Sequence, residues 1–150
     1  MKIKIQRPTR AEILEVRGMF DASAIESTRK YGEGQLYNLH MRQGLELFCA
    51  YDNRELVGGI DTEKVKNSNV VLITEMSVKE EHRRKGIGSA LVEYVTKKKH
   101  GIIEADVMIE PAVNVRSMEM FKKQGFRPIS NYAMNFWEQP VKFAVLRKVV

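Results

Sequence analysis

Two kinds of hydrophobic pattern divide this chain into segments. Strand-like patterns, apolar at every second residue or on both faces, occur over residues 2–7, 45–51, 55–60, 70–78, 102–109, 127–138 and 141–149. Helix-like segments occur over residues 9–30, 35–43, 89–100 and 114–124. The element order βααβββαβαββ predicts an α/β fold with a mixed, mostly antiparallel sheet of about seven strands, flanked by helices.

Local signals mark several boundaries of these elements. Thr9 and Glu12 have the spacing of a capping box, in which the two residues satisfy each other's free donors at a helix start. Asp52-Asn53 predicts the turn of a hairpin formed by residues 45–60. Gln139-Pro140 is expected to separate the last two strands.

The strand over residues 70–78 is β-branched and apolar on both faces, which predicts a central strand covered on both sides. The strand over residues 102–109 has one apolar face, formed by Ile103, Ala105, Val107 and Ile109. With the helix between them, the two strands form one parallel β-α-β crossover unit.

Composition limits the class of protein. A chain of 150 residues with 43% hydrophobic residues is long enough for one compact domain, so we expect a single domain over residues 1–150. No apolar run approaches the length of a membrane span, and the first five residues alternate lysine with isoleucine, unlike a signal peptide. A cytoplasmic location is expected. Cys49 is the only cysteine, which excludes an internal disulfide.

The most informative stretch lies between the central strand and the helix that follows it. Gly86 and Gly88 let the backbone turn tightly and approach a ligand closely. Successive N–H groups at a helix start attract an anion, and the three basic residues at positions 83–85 add positive charge. These features predict a phosphate-binding loop.

Two common phosphate loops do not fit this stretch. A dinucleotide-binding fingerprint requires a third small residue where this chain has Leu91. A P-loop closes with Gly-Lys-Ser/Thr, but Gly88 is followed by Ser89-Ala90. The net charge of +6 suits an anionic ligand, and it also fits a solvated surface or a nucleic-acid partner.

A second motif begins at Asn114, a residue type that favours the helix N-cap. Val115, Met118 and Phe121 are expected to form the apolar stripe of this helix, and Gly125 to end it. Alone, the motif indicates an ordinary amphipathic helix.

Together the two motifs resemble the GNAT superfamily of acyl-CoA-dependent N-acetyltransferases. The matching residues are Val78, then Arg83-x-x-Gly86-x-Gly88, then Asn114-x-x-Ser117-x-x-Met120-Phe121-x-x-x-Gly125-Phe126. The resemblance covers residues 70–126 in motif and nearly the whole chain in element order. It implies a GNAT fold, acetyl-CoA as cosubstrate, and transfer of the acetyl group to a primary amine of a small molecule or a protein.

The resemblance also implies which residues hold the coenzyme. The loop binds the pyrophosphate through backbone N–H groups, and the central strand splays from its neighbour at a bulge so that its backbone pairs with the pantetheine arm. The implied coenzyme-binding residues are Met76, Ser77, Val78, Arg83, Arg84, Lys85, Gly86, Ile87, Gly88, Ser89, Asn114 and Phe121.

One position departs from the family pattern. Phe121 stands where many members have a tyrosine that serves as general acid beside the coenzyme sulfur, and a phenyl ring has no proton to give. A thiol with a pKa of about 8.5 is still a far better leaving group than an amine. Tyr132, Ser117 or a water are the alternative donors.

Transfer to an amine requires the neutral amine, although a lysine-type amine has a pKa of about 10.4. Glu75, three residues before Val78 where several family members carry an acid, is the leading candidate base, and Glu110 is the runner-up. By resemblance, the Val78 N–H faces the thioester oxygen and stabilises the tetrahedral oxyanion. The expected catalytic residues are therefore Glu75 and Tyr132.

Other reactive side chains carry weaker signals. Cys49 has no histidine near it in sequence, so a packing role is favoured over a nucleophilic one. His40 and His82 lack a second histidine at metal-binding spacing, and no metal is expected. By resemblance, the segment containing Tyr31, Glu33, Tyr37 and His40 covers the acceptor pocket.

The sequence therefore predicts an acetyl-CoA-dependent N-acetyltransferase. One alternative is a GNAT-fold module that binds an acyl-CoA as a sensor without turnover. A second is a small nucleic-acid-binding domain, which would use the basic clusters at residues 83–85 and 97–99. The last strand, over residues 141–149, could pair or pack with a second subunit to form a homodimer.

Overall fold

The computed structural model describes residues 2–19, 45–136 and 139–150. The expected helix over residues 35–43, the second half of the first helix, and the acceptor segment with Tyr31, Glu33, Tyr37 and His40 all lie outside the described residues.

Within the described ranges, seven strands and three α-helices follow one another along the chain. Their bounds are β1 (Ile3–Gln6), α1 (Ile13–Met19), β2 (Leu45–Asp52), β3 (Glu55–Lys64), β4 (Val70–Val78), α2 (Ile87–Lys98), β5 (Ile102–Glu110), α3 (Val115–Lys123), β6 (Arg127–Phe136) and β7 (Gln139–Val149). Short 3-10 helices lie at Arg10–Glu12 and Glu80–His82.

The strands form one mixed sheet in the order β1-β2-β3-β4-β5-β7-β6. β4 and β5 pair in parallel across the α2 crossover, and every other neighbouring pair is antiparallel. The predicted α/β fold, its mostly antiparallel sheet and its parallel β4-α2-β5 unit are confirmed.

The sheet has an apolar layer on each face. On one face, Phe48, Ile60 and Val107 pack with α2 and with Phe121 of α3 in the larger core cluster. On the other face, Ile13 and Val16 of α1 pack against β2 and β3 in a smaller cluster. β4 is a central strand, as predicted, with β3 and β5 as its neighbours. Its buried residues, Val71 and Ile73, share one face, whereas Leu72 on the other face is only half-buried.

Two sequence-based expectations are wrong in detail. Gln139 and Pro140 belong to β7, where they pair with Phe136 and Asn135, so they do not separate the last two strands. The missing N–H of Pro140 is tolerated because β5 pairs with β7 only from Lys142 onwards.

Val115 does not join the apolar stripe of α3, because it is 56% exposed in the first turn of the helix. The stripe begins at the half-buried Met118 and reaches the core at Phe121.

The last strand, β7, has no free edge, because it pairs with β5 on one side and β6 on the other.

Two helix starts follow the sequence signals. The backbone N–H and the hydroxyl of Thr9 both donate to Oε1 of Glu12 at 2.8 Å, although the first turn is a 3-10 helix and α1 begins at Ile13. Oδ1 of Asn114 accepts from the N–H of Ser117 at 3.2 Å and caps α3. No helix in the described ranges is both long and apolar enough to cross a membrane.

The entry into β5 depends on a glycine. Gly101 has a φ of +111°, and a Cβ built there would lie 2.4 Å from the carbonyl oxygen of Asn69. That oxygen accepts the hydrogen bond from Ile102, which aligns β5 beside β4. We expect Gly101→Ala to lower the free energy of unfolding by about 2–4 kcal/mol, measured by urea denaturation.

Gly86→Ala is the matched control, because Gly86 also has a positive φ of 79° but a Cβ there meets no atom within 4 Å. It should cost only about 1–2 kcal/mol, the intrinsic penalty of a left-handed residue. Equal losses for the two variants would contradict the proposed clash at Asn69.

Candidate active site

The site is formed where β4 and β5 separate. These strands pair only between Val70–Ile73 and Ile102–Ala105, whereas β4 continues to Val78 along β3. The register between β3 and β4 shifts at Asp61/Thr62, which makes Thr74 an extra residue in β4. The resemblance implied such a bulge and splay, and the structure places both in this strand.

The separation turns specific backbone groups towards the gap. The N–H of Lys79 donates to the carbonyl of Val57 at 2.8 Å, and in an antiparallel ladder successive residues face alternate sides. Ser77 therefore directs its backbone groups towards β3, while Met76 and Val78 direct theirs towards the gap. The carbonyl of Val78 accepts from Nε of Arg83 at 2.8 Å, which ties the loop to the strand end.

A cleft of about 440 Å³ lies between this strand end, the start of α2 and the start of α3. The residues that line it are Met76, Ser77, Val78, Arg83, Arg84, Gly86, Ile87, Gly88, Ser89, Asn114, Arg116, Ser117 and Met120. Residues 76–89 thus meet residues 114–120, which are distant in sequence, in one cleft. Their role in coenzyme binding stays a prediction.

The loop presents backbone donors rather than side chains to this cleft. Gly86 is the N-cap of α2, with a φ of +79° and no side-chain hydrogen bond to the first turn. The N–H groups at a helix start have no partner within the helix, so an uncapped start leaves them available to an anion. Arg84, at a φ of +66°, lines the cleft, whereas Lys85 is exposed and does not.

The start of α3 contributes residues that the sequence reasoning did not assign. Arg116 and Met120 line the cleft beside Asn114 and Ser117. The signal was the helical period, because positions 116, 117 and 120 share the face of a helix that begins after residue 114. Arg116 adds a cation to the cleft beyond those of the loop.

Phe121 lies elsewhere than the resemblance implied. It is 4% exposed, does not line the cleft, and packs edge-to-face on Phe126 with ring centroids 5.0 Å apart. One residue of helical rotation separates it from Met120 and turns its ring into the core. The ring has the environment of a packing residue.

Glu75 lies next to the cleft but on the other face of β4. Successive strand residues point to opposite faces, so the side chain of Met76 faces the helices α2 and α3 while Glu75 and Ser77 face α1. The hydroxyl of Ser77 donates to the carbonyl of Met19 at the end of α1. Glu75 is half-buried and pairs in register with Asp61.

Tyr132 lies on β6 and not in the cleft. Its hydroxyl donates to Oδ2 of Asp106, and its ring stacks on Phe143 with centroids 5.5 Å apart. Burial, followed by the hydrogen bond and charge of Asp106, raises the pKa of Tyr132 to about 12. The phenol therefore keeps its proton at neutral pH and donates it in the hydrogen bond to Asp106. Its role as a general acid stays a prediction.

Cys49 is fully buried, and burial raises the pKa of its thiol to about 12. A protonated thiol is a poor nucleophile, so this residue fits the packing role.

The structure brings His82 together with Glu55 and Glu81, whose potential ligand atoms all lie within 4.8 Å of one another. Nε2 of His82 is 3.4 Å from Oε1 of Glu55. The group lies outside the cleft, and clusters of exposed carboxylates are common without an ion. The expectation of no metal stays a prediction.

The comparisons with known proteins agree with this arrangement. The model of the acetyltransferase (GNAT) family matches residues 13–126. The fold superposes on Arabidopsis thaliana NAA60 in complex with a bisubstrate analogue, with a TM-score of 0.73 at 17% identity over 98% of this chain and 97% of that one. No curated protein sequence matches.

Two bacterial structures are also similar in fold. An acetyltransferase of Bacillus subtilis in complex with CoA has a TM-score of 0.68 and 21% identity, over 99% of this chain and 98% of that one. The ribosomal-protein-S18-alanine N-acetyltransferase of Escherichia coli has a TM-score of 0.73 and 12% identity, over 97% and 92%.

A seven-stranded sheet that splays at an uncapped helix start, matched to this family model over most of the chain, defines a GNAT-fold acyltransferase. The chain belongs to the acetyltransferase (GNAT) family.

The raised pKa of Tyr132 predicts a pH-dependent contribution to stability. A pKa raised above the ordinary value of 10.0 means that the folded state holds the proton more tightly, so the contribution is complete below pH 10 and falls as pH rises towards 12. We expect the stability difference between the wild type and Tyr132→Phe to shrink from pH 9 to pH 11, measured by urea denaturation. A difference that grows over this range would contradict the assigned bond to Asp106.

Proposed function

We propose that this protein is an N-acetyltransferase that transfers the acetyl group of acetyl-CoA directly to a primary amine of a small molecule or a protein. The observation that carries the proposal is the cleft between β4, α2 and α3. It combines uncapped helix donors for a pyrophosphate with a strand edge that can pair with an amide-containing arm.

Different parts of the cleft suit the pyrophosphate and the pantetheine arm of this cosubstrate. The N–H groups that follow Gly86 suit the pyrophosphate, with Arg84 and Arg116 as nearby cations. The backbone groups of Met76 and Val78 suit the pantetheine amides. Structures of similar fold support the proposal, since NAA60 has been solved with acetyl-CoA and the Bacillus subtilis acetyltransferase with CoA.

The reaction would be an attack of the neutral amine on the thioester carbonyl. The new C–N bond forms, the C–S bond breaks, the amine proton leaves to a base, and the coenzyme departs as a thiol. The Val78 N–H would stabilise the oxyanion that forms between these events. Glu75 is the proposed base, acting from the α1 face of β4, directly or through a water.

The acceptor is proposed only as a class. NAA60 was solved with a bisubstrate analogue, and the Escherichia coli relative in fold is named for an alanine of a ribosomal protein. Both are consistent with an amine acceptor, and neither selects between a peptide and a small molecule for this chain.

A non-catalytic acyl-CoA-binding module is the second candidate. The observation that favours it is Phe121, which has no proton and is buried in the core, so no aromatic acid is contributed at this position. This candidate predicts coenzyme binding without any consumption of the thioester.

The basic cluster at residues 97–99 gives little support to a nucleic-acid-binding domain. Lys97 is bonded to Glu93 at 2.8 Å, and Lys99 is bonded to Glu46. Nζ of Lys98 is 3.0 Å from the hydroxyl of Tyr94. Since paired cations are less available to phosphates, residues 97–99 do not form the free basic surface that such a domain needs.

Turnover tests the proposal directly. We expect acetyl-CoA to be consumed, with release of CoA thiol, in the presence of at least one member of a panel of primary amines and N-terminal peptides, followed by a thiol-reactive dye. Coenzyme binding by calorimetry with no thiol release across the panel would support the sensor instead.

Gly86→Leu supplies the matched control for that assay. Gly86 lines the cleft, and a Cβ there would meet no protein atom within 4 Å, so a larger side chain should hinder the ligand at the cost only of the strain of a left-handed residue. We expect at least about tenfold weaker coenzyme binding, which corresponds to about 1.4 kcal/mol. Circular dichroism would check that the variant remains folded, and full binding by a folded variant would refute the loop assignment.

Glu75→Gln tests the proposed base. At low pH the amine arrives protonated and requires a base, whereas at high pH it is already neutral. We expect kcat to fall by about 10²-fold near pH 7 and by less near pH 10, with unchanged coenzyme affinity.

Glu110→Gln is the comparison variant for Glu75, since Glu110 is the exposed last residue of β5 and does not line the cleft. If Glu110→Gln lowered the rate and Glu75→Gln did not, the assignment of the base would move to Glu110.

A further inference from the structure

A second groove continues from the cleft along the outer side of α2 and α3. It has a volume of about 610 Å³ and shares Ser89 and Met120 with the cleft. Three lysines line it, Lys97, Lys123 and Lys148. The groove therefore begins at the first turn of α2, where the uncapped donors lie, and leads to a basic wall.

A hydrogen bond fixes the distance between the loop and this wall. Nε2 of Gln124 donates to the carbonyl of Ser89 at 2.8 Å. Lys123 is the residue before Gln124, so its stem starts next to the first turn of α2. The stem of Lys148 crosses the end of α3, since its Cε lies 3.6 Å from the position of a Cβ on Gly125.

The groove contains more positive than negative side chains, so some of its lysines have no ion-pair partner within the described part of the chain. Among the residues that the structure describes, Glu93 is the only acidic side chain that lines the groove, and it is bonded to Lys97 at 2.8 Å. That bond, followed by the charges of Lys97 and Lys148, lowers the pKa of Glu93. Lys123 and Lys148 form no ion pair with any residue in the described ranges, so two cations remain free to bind an anion.

We propose that Lys123 and Lys148 bind the 3′-phosphate of coenzyme A, so that the protein distinguishes coenzyme A from dephospho-coenzyme A. The inference rests on the proposed function, because it assumes that the pyrophosphate lies at the start of α2. Only the ribose ring separates the 3′-phosphate from that pyrophosphate. The adjoining groove offers two unpaired cations to this third phosphate, in addition to Arg84 and Arg116 in the cleft.

The test is calorimetric titration of the protein with coenzyme A and, separately, with dephospho-coenzyme A. We expect the wild type to bind coenzyme A at least about tenfold more tightly, the effect of one or two charge-assisted hydrogen bonds. In the double variant Lys123→Ala/Lys148→Ala, the two ligands should bind with nearly equal affinity, and the affinity for dephospho-coenzyme A should match that of the wild type.

The control variant is Lys66→Ala/Lys122→Ala, which removes the same two charges from exposed positions outside both cavities. It should keep the wild-type preference, which separates a local contact from an effect of net charge. Thermal unfolding would verify that both variants fold.

The outcomes separate this inference from the proposed function. Equal binding of the two ligands by the wild type, or a preserved preference in the Lys123/Lys148 variant, would overturn the phosphate assignment and leave coenzyme binding intact. Binding of neither ligand would overturn the proposed function and this inference with it. If the Lys66/Lys122 control variant also lost the preference for coenzyme A over dephospho-coenzyme A, a local contact of Lys123 and Lys148 with the phosphate would be refuted.

Discussion

The site depends on the limited pairing of β4 with β5. β4 pairs in parallel with β5 over Val70–Ile73 and then continues along β3 alone. Buried backbone groups must find partners, so a strand that loses one neighbour halfway along creates an unmet demand for hydrogen bonds. The strand end is thus both part of the rigid sheet and open to a ligand.

The surrounding elements keep that gap open and aim donors at it. α2 starts at an uncapped glycine, and Arg83 reaches back from the loop to the Val78 carbonyl, so loop and strand end are held together. α3 is tied to the same place through the bond between Gln124 and Ser89. Rigid packing of α2 and α3 in one core means that these contacts are positioned before any ligand arrives.

The two faces of β4 present different side chains to different parts of the molecule. Met76 faces the helices and lines the cleft, whereas Glu75 and Ser77 face α1, where Ser77 bonds to the end of that helix. A strand that passes between the two layers can therefore present one set of side chains to the cleft and another set to α1. Such a division follows from the two-residue period of a strand and requires no dedicated loop.

Local chemistry in the sequence determined much of this. Glycine spacing, an asparagine cap and the uninterrupted apolar run of β4 are short-range signals, and they identified the loop, the start of α3 and the central strand. The bulge and splay were implied by resemblance alone, because nothing local in residues 70–78 says where a neighbouring strand departs.

The tertiary structure decided the features that depend on contacts between distant parts of the chain. It placed Phe121 in the core beside Phe126 and Tyr132 on Asp106, brought Arg116 into the cleft, and joined Lys123 and Lys148 in a second groove. These placements come from helix rotation and strand register, which are set by packing between segments that are far apart in the chain.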